Sequence, residues 1–220
     1  MFRIPIALGW VAPGLFVAVI AGCDWKTSVP SPQDFSANSE LQALLADPSS
    51  VKFADQVESN RKVDDTIGSL QFIDTGGNPV RLDQYAGEKN VLLVFTRGFS
   101  GQLCPFCTTQ TSRLIANYDE FSRRDTEVLL VYPGQKDQLD EFLAVSMEGS
   151  EVEKFPFPVL LDEDMAAVNE LNIAAQLALP STFIIDKSGN VRLAHVSADT
   201  TADRPSVQAM LGVLESANGT

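Results

Sequence analysis

The chain carries a continuous apolar run at residues 91–95 (VLLVF) and, after eight intervening residues, the tetrapeptide 104–107 (CPFC). A short run of this kind is typical of a strand that is buried on both faces of a sheet. After the tetrapeptide, apolar side chains recur at helical spacing at Leu114, Tyr118 and Phe121. We therefore predict a buried strand, a connecting loop, and a helix whose first turn contains both cysteines.

The start of this helix gives the two sulfurs different environments. Pro105 suits an early helical position because its missing N–H would have no partner there. The unpaired N–H groups and the dipole of a helix N-terminus stabilise negative charge, so we predict a readily ionised thiolate at Cys104. Cys107 falls one turn later on the apolar face, where it could close an internal disulfide with Cys104. A Cys-x-x-Cys spacing by itself is also compatible with a metal site or a static disulfide.

Strand and helix signals alternate along the rest of the chain. Turn residues at 75–78 (TGGN) and 187–190 (KSGN) predict two hairpins, the first of them an N-terminal β-hairpin extension. Alternating elements predict an α/β fold with a central mixed sheet flanked by helices. The predicted order is ββ-β-α-β-α-β-α-β-β-α, with strands at 70–74, 79–82, 91–95, 127–132, 158–161, 182–186 and 191–196, and helices after Cys104, near 139–143, after Asp162 and from Pro205.

Several short pieces carry a family resemblance: residues 94–98 (VFTRG), 104–107 (CPFC), 158–162 (PVLLD), 180–186 (PSTFIID) and 203–206 (DRPS). Together they resemble the thioredoxin-like superfamily, in particular the redoxin, or alkyl hydroperoxide reductase/thiol-specific antioxidant (peroxiredoxin-like), family. The resemblance implies a thioredoxin-like fold and a thiol-based oxidoreductase. It also implies a cis-proline at Pro180, after Leu179, that packs against the cysteine pair and leaves the backbone open to bind a substrate chain.

The resemblance leaves the activity open between two kinds of enzyme. A Cys104/Cys107 dithiol-disulfide couple would serve thiol-disulfide exchange or antioxidant defence, with protein thiols or disulfides and an unidentified redox partner. The alternative is a peroxiredoxin-type thiol peroxidase that acts on peroxides, with Cys104 peroxidatic and Cys107 resolving. The peroxiredoxin pattern Pro-x-x-x-Thr-x-x-Cys fits neither cysteine, and no arginine adjoins the Thr182 strand, although Arg97 or Arg113 could substitute.

Three further residues are candidates for auxiliary roles. Arg97 could orient a substrate or the thiolate, or could be a solvated loop residue. Phe106 could contact a partner or simply pack, and Thr182 lies in the strand that carries the resemblance. No cofactor is expected beyond the redox-active disulfide, and no resident metal.

A non-enzymatic function is the second alternative. Cys104, Cys107 and His195 could bind copper or another soft metal, as in thioredoxin-fold metallochaperones. Nucleic acid is not expected as a partner, because the net charge is -13 and phosphate binding needs a cationic surface.

The N-terminus predicts an extracytoplasmic, membrane-anchored protein. Residues 1–22 have a positive charge, an apolar stretch and small residues, and 20–23 (IAGC) resemble the cleavage box of bacterial lipoproteins. We predict a signal peptide at 1–22, lipidation of Cys23, a flexible tether at 23–62 and a redoxin domain at 63–220 on the periplasmic side. An uncleaved transmembrane anchor is the alternative.

Overall fold

The computed structural model describes residues 51, 53–63, 65–98, 103–198 and 203–219. The predicted signal peptide, Cys23 and most of the predicted tether lie outside these residues. None of the helices within them is long and apolar enough to cross a bilayer.

A mixed seven-stranded sheet forms the centre of the fold. Its strands are β1 (Gln71–Asp74), β2 (Pro79–Arg81), β3 (Asn90–Phe95), β4 (Thr126–Pro133), β5 (Val159–Asp162), β6 (Ser181–Ile185) and β7 (Val191–Val196). They are ordered β2-β1-β5-β4-β3-β6-β7. The three central strands β3, β4 and β5 are parallel, and the remaining pairs are antiparallel. The β1–β2 and β6–β7 pairs are the two predicted hairpins.

Five α-helices accompany the sheet in the described part of the chain: α1 (Pro105–Ala116), α2 (Tyr118–Ser122), α3 (Leu139–Met147), α4 (Ala166–Glu170) and α5 (Val207–Asn218). The predicted helix after Cys104 is divided at Asn117, which is the C-cap of α1 and the N-cap of α2. Two short 3₁₀ helices, Asp65–Ser69 and Leu82–Tyr85, were not predicted, and the second takes up Leu82, which was expected in a strand. The remaining order of elements matches the prediction, and the α/β fold is confirmed.

Both faces of the central strands are buried, as the continuous apolar run predicts. Leu93 and Phe95 of β3 belong to one apolar cluster, in which Phe95 packs edge-on against Phe72 and Phe183. Alternate residues of the strand, among them Leu92, belong to the cluster that also contains residues of α1 and α5. This alternation follows from the two-residue period of a strand. Packing in both clusters holds the C-terminal end of β3, from which the chain continues toward α1.

A segment preceding the predicted domain boundary also packs on the sheet. We call residues 53–61 the strap. It lies along β7, where the Asn60 side chain donates to the carbonyl of Val196 at 2.8 Å and accepts the N–H of the same residue at 2.9 Å. The N–H of Asn60 also donates to the carbonyl of Ala194 at 3.0 Å. The ordered contacts of the domain therefore begin within the segment predicted as tether, before residue 63.

Candidate active site

The two cysteines occupy the first turn of α1, as predicted. Cys104 is the N-cap, with extended backbone, and Pro105 is the first helical residue. The Cys104 Sγ accepts a hydrogen bond from the backbone N–H of Cys107 at 3.3 Å. An N-cap side chain normally satisfies one of the unpaired donors of a helix in this way. Here the acceptor is a sulfur atom, so the helix end holds the candidate nucleophile in place.

Cys107 is the more deeply placed of the two. Its side chain is 2% exposed and belongs to the apolar cluster beneath α1, whereas Cys104 is half-buried. Its Sγ accepts the backbone N–H of Arg97 at 3.5 Å. The residue after β3 and the first turn of α1 therefore meet at this sulfur.

Gly98 allows this approach of the chain to β4. Its φ is +78°, and a Cβ at this position would overlap the carbonyl oxygen of Pro133 at the end of β4. Glycine alone combines that backbone conformation with the absence of a Cβ. Gly98 thus keeps the Arg97 N–H aimed at Cys107.

Arg204 brings a positive charge to the two cysteines, and no role was predicted for it from the sequence. Its side chain is only 1% exposed. One guanidinium nitrogen, Nη2, lies 3.5 Å from the Sγ of Cys107 and 3.7 Å from the Sγ of Cys104, while Nη1 donates to Oε1 of Gln110 at 3.3 Å. Residues 203–206 (DRPS) were part of the family resemblance, but nothing in the sequence indicated that Arg204 would contact the cysteines. A single cation therefore reaches both sulfurs.

The backbone around Arg204 is held by the strap and by His195. Ala54 of the strap donates to the carbonyl of Arg204 at 2.8 Å and accepts the N–H of Ser206 at 2.8 Å. The ring of His195 contacts the carbonyl of Asp203 through Nε2 at 2.7 Å and that of Glu58 through Nδ1 at 3.3 Å. These contacts fix the residue that carries the guanidinium.

The two cysteines differ in pKa, Cys107 being the more acidic. Burial alone would raise the pKa of Cys107, but the hydrogen bond from the Cys104 thiol and the charge of Arg204 lower it to about 5. The pKa of Cys104 is raised, first by its hydrogen bond to Cys107 and then by burial. The sequence predicted the thiolate at Cys104. The structure places the lower pKa at Cys107, because the Arg97 N–H and Arg204 both face that sulfur.

Pro180 departs from the resemblance in its peptide bond. The Leu179–Pro180 bond is trans, as are all peptide bonds of the described residues, so the implied cis-proline is wrong for this structure. The neighbouring backbone groups also have partners within the chain. The N–H of Leu179 donates to Ile173 at 2.8 Å, and the carbonyl of Pro180 accepts from Ser197 at 2.9 Å. Pro180 still lies at the end of the sheet from which the chain leads to the cysteines, because the next residue, Ser181 of β6, pairs with Phe95 at the end of β3.

The other arginines predicted as substitutes point elsewhere. The Arg97 side chain donates to Oε1 of Gln176 at 3.4 Å, so its backbone rather than its guanidinium serves the cysteines. Arg113 donates to the carbonyl of Val51 at 2.5 Å and stacks over the ring of Phe53 at 4.6 Å.

The remaining candidates occupy separate positions. Phe106 is half-buried between the cysteines, and Thr182 is buried in β6, paired with Val94 and with His195. Both ring nitrogens of His195 face carbonyl oxygens, and the described residues contain no cluster of three metal-binding side chains. The structure therefore does not bring His195 to the cysteines.

Comparisons with known proteins agree on the kind of chemistry. Residues 63–194 match the profile of the AhpC/TSA family. Over 133 residues, 59% of this chain and 67% of the relative, the sequence is 29% identical to the thiol-disulfide oxidoreductase ResA of Geobacillus kaustophilus. This relative is a thiol-disulfide oxidoreductase, in agreement with an enzyme that uses thiol chemistry.

Solved structures show the same fold. A peroxiredoxin 6 of Arenicola marina superposes with a TM-score of 0.60 at 18% identity, over 71% of this chain and 73% of the other. Peroxiredoxin Q of Xanthomonas campestris gives a TM-score of 0.55 at 21% identity, over 75% and 99%.

Proposed function

Because the chain belongs to the AhpC/TSA family of thiol oxidoreductases, we propose that it is a thiol-disulfide oxidoreductase in which Cys104 and Cys107 alternate between dithiol and disulfide. The observation that carries this proposal is the single guanidinium nitrogen of Arg204, which lies 3.5 and 3.7 Å from the two sulfurs. Two sulfurs that share one cation and one helical turn are positioned to exchange a proton and to bond to each other.

The exchange reaction follows from the two environments. Cys104 is the half-buried sulfur, so it meets the substrate and forms the mixed disulfide. When a substrate disulfide is reduced, Cys107 completes the exchange by attacking the Cys104 sulfur and releasing the reduced substrate. In the opposite direction a substrate thiolate attacks Cys104 of the disulfide, and Cys107 is the sulfur that leaves. Arg204 stabilises whichever sulfur carries the negative charge during the two steps.

Trapping of the mixed disulfide tests this proposal. In the full chain with Cys23→Ser, the additional change Cys107→Ser is expected to leave a stable mixed disulfide between Cys104 and a reactive protein disulfide such as that of insulin. The matched variant Cys104→Ser should trap no substrate, because the remaining sulfur is buried. A substrate adduct on Cys107 rather than Cys104 would contradict the assignment.

Arg204 also favours a second candidate, a thiol peroxidase. No arginine adjoins the Thr182 strand in the sequence, where the resemblance leads one to expect it, but Arg204 lies beside both sulfurs. Transfer of the Cys104 proton to Cys107 would give a Cys104 thiolate, which would attack a hydroperoxide and become a sulfenic acid as the alcohol leaves. Cys107 would then form the disulfide with loss of water. Hydroperoxide consumption that persists in Cys107→Ser with an external thiol would support the peroxidase, whereas consumption no faster than that of free cysteine would exclude it.

We further propose that the protein is an extracytoplasmic lipoprotein. The support is the 20–23 (IAGC) sequence after an apolar stretch. Metabolic labelling with a fatty acid is expected to modify the wild-type chain and not Cys23→Ser. Labelling of both would show that the acyl chain is attached elsewhere, and labelling of neither would contradict lipidation.

A further inference from the structure

Oxidation of the cysteine pair removes a negative charge from a buried place. One guanidinium nitrogen of Arg204, a residue that is 1% exposed, lies 3.5 Å from the Cys107 sulfur and 3.7 Å from the Cys104 sulfur. Because the pKa of Cys107 is lowered to about 5 and that of Cys104 is raised, the reduced pair carries one thiolate at neutral pH. A disulfide is neutral, so its formation ends this ion pairing whatever other contacts Arg204 makes. A positive charge beside a thiolate lowers the free energy of the reduced pair and has no comparable effect on a neutral disulfide. Arg204 and the N–H groups of Arg97 and Cys107 therefore stabilise the reduced state over the oxidised one.

We propose that Arg204 makes the Cys104–Cys107 disulfide a strong electron acceptor, so that the protein oxidises substrates that carry two neighbouring thiols. This inference rests on the proposed function, and it adds the direction of electron flow and the class of substrate. A couple whose reduced form is stabilised is an oxidising one.

The transfer of electrons can be written atom by atom. One substrate thiolate attacks the Cys104 sulfur, the Cys104–Cys107 bond breaks, and its electron pair remains on Cys107 beside Arg204. The second substrate thiolate then attacks its own partner sulfur in the mixed disulfide and releases Cys104, which takes up a proton. The substrate loses two electrons and two protons, while the protein gains two electrons and keeps one proton. The other proton goes to solvent, and a hydroperoxide would be the oxidant that restores the disulfide.

The placement of the two sulfurs suits this direction. In the first step the attacked sulfur must be reachable and the departing sulfur must be a stable anion. Cys104 is the half-buried sulfur, and Cys107 is the one that contacts both Arg204 and the Arg97 N–H. The lowered pKa of Cys107, about 5, agrees with its role as leaving group.

The groups around the sulfurs define what a pH measurement reports. Within the described residues, Tyr132 of β4 is a further titratable group that interacts with Cys107, and its pKa is raised to about 12, first by burial and then by the nearby thiolate. Tyr132 therefore stays neutral across the neutral range. The cysteine pair is the group of this site that loses a proton there.

Equilibration with glutathione tests the inference in the wild-type sequence. If the reduced cysteine pair carries one negative charge, reduction of the disulfide by glutathione releases one proton. The equilibrium constant for reduction should then rise about tenfold per pH unit from about pH 5.5 to about pH 8. If both thiols were protonated in the reduced state, the constant would not change with pH, and the inference would be overturned. This measurement uses the full chain with Cys23→Ser and needs no change at the site.

Substitution of Arg204 provides the second measurement. Arg204→Met should favour the disulfide by about tenfold or more relative to wild type, a potential lower by about 30 mV, and should flatten the pH dependence. Arg204→Lys, which retains the charge, should lie between the two. The control is Arg192→Met, which removes an arginine that is 43% exposed and should leave the constant unchanged. An Arg204→Met constant equal to that of the control would refute the proposal.

A dithiol substrate completes the test. The oxidised wild-type protein is expected to convert thiols of reduced ribonuclease A to disulfides, and oxidised Arg204→Met should do so to a smaller extent at equilibrium. Failure of the wild-type pair to form a disulfide at any glutathione ratio would defeat the proposed function itself. A disulfide that forms normally but does not depend on Arg204 would defeat only this inference.

Discussion

Replacement of Gly98 by alanine is expected to destabilise the protein and to disturb the cysteine site at the same time. Gly98 has φ +78°, and a Cβ built there would lie less than 3.0 Å from the carbonyl oxygen of Pro133. A non-glycine residue in this conformation costs about 1 kcal/mol, and relief of a backbone overlap costs about 2 kcal/mol more. We expect Gly98→Ala to lower the free energy of unfolding by about 3 kcal/mol.

Gly87→Ala is the matched control for this change. Gly87 has a similar φ of +82°, but a Cβ there would have no heavy atom within 4 Å. It should therefore lose only about 1 kcal/mol, so the two variants should differ by about 2 kcal/mol. Urea unfolding of the reduced chains measures both values, with equal m-values as a check that the transition is the same.

The overlap also predicts a chemical effect. A shift of the backbone at Gly98 would move the neighbouring Arg97 N–H away from the Cys107 sulfur, which it now contacts at 3.5 Å. The pH at which the pair becomes reactive toward iodoacetamide should then rise in Gly98→Ala and stay unchanged in Gly87→Ala. Equal stability losses in the two variants would refute the reasoning, because the close approach to Pro133 would then contribute nothing.

Three other changes have defined outcomes. The pKa of Cys107 is about 5 in the folded chain and about 9 for an unfolded thiol, so the unfolded chain binds more protons between these pH values. The free energy of unfolding of the reduced protein, measured with urea, should therefore rise by about 1 kcal/mol per pH unit from about pH 5 to pH 8, and this gain should be lost as the pH falls back to 5. The oxidised protein should show no such slope. Asp162→Ala should cost about 2 kcal/mol, because its buried carboxylate accepts two backbone N–H groups of α4 at 3.1 and 3.0 Å, whereas exposed Asp164→Ala should cost far less; equal losses would contradict this. Asn60→Ala removes both side-chain hydrogen bonds of the strap to Val196, so limited proteolysis should cleave near residue 60 faster than in wild type, and an unchanged rate would mean that the strap is held by its other contacts.

The predictable part of this fold is the part with local or periodic signals. The buried run at 91–95 and the tetrapeptide at 104–107 predicted the strand β3, the helix α1 and the capping position of Cys104. The turn residues placed both hairpins. A helix was predicted to follow Asp162, and the carboxylate of Asp162 accepts two N–H groups of that helix. These features depend on residues close in sequence.

The contacts that set the chemistry join residues far apart in the chain. Arg204 lies 97 positions after Cys107, and a lone arginine before a helix carries no sequence sign that it will be buried against sulfur. The lower pKa of Cys107 follows from its hydrogen bond with Cys104, from that contact and from the Arg97 N–H. Because the contact with Arg204 is distant in the chain, the sequence could not assign the lower pKa to Cys107. The trans bond before Pro180 likewise depends on how the surrounding backbone is paired, through Ser197 among others.

The strap along β7 has a practical consequence for anyone who shortens this protein. The family match spans residues 63–194, yet residues 53–61 cover the outer strand and residues 203–219 contribute Arg204 and the last helix. A fragment cut at the family limits would lose Arg204, end within β7 (Val191–Val196) and leave the polar backbone of what remains of that strand uncovered. Uncovered strands of this kind recruit other chains edge to edge, so such a fragment should aggregate rather than report on the enzyme.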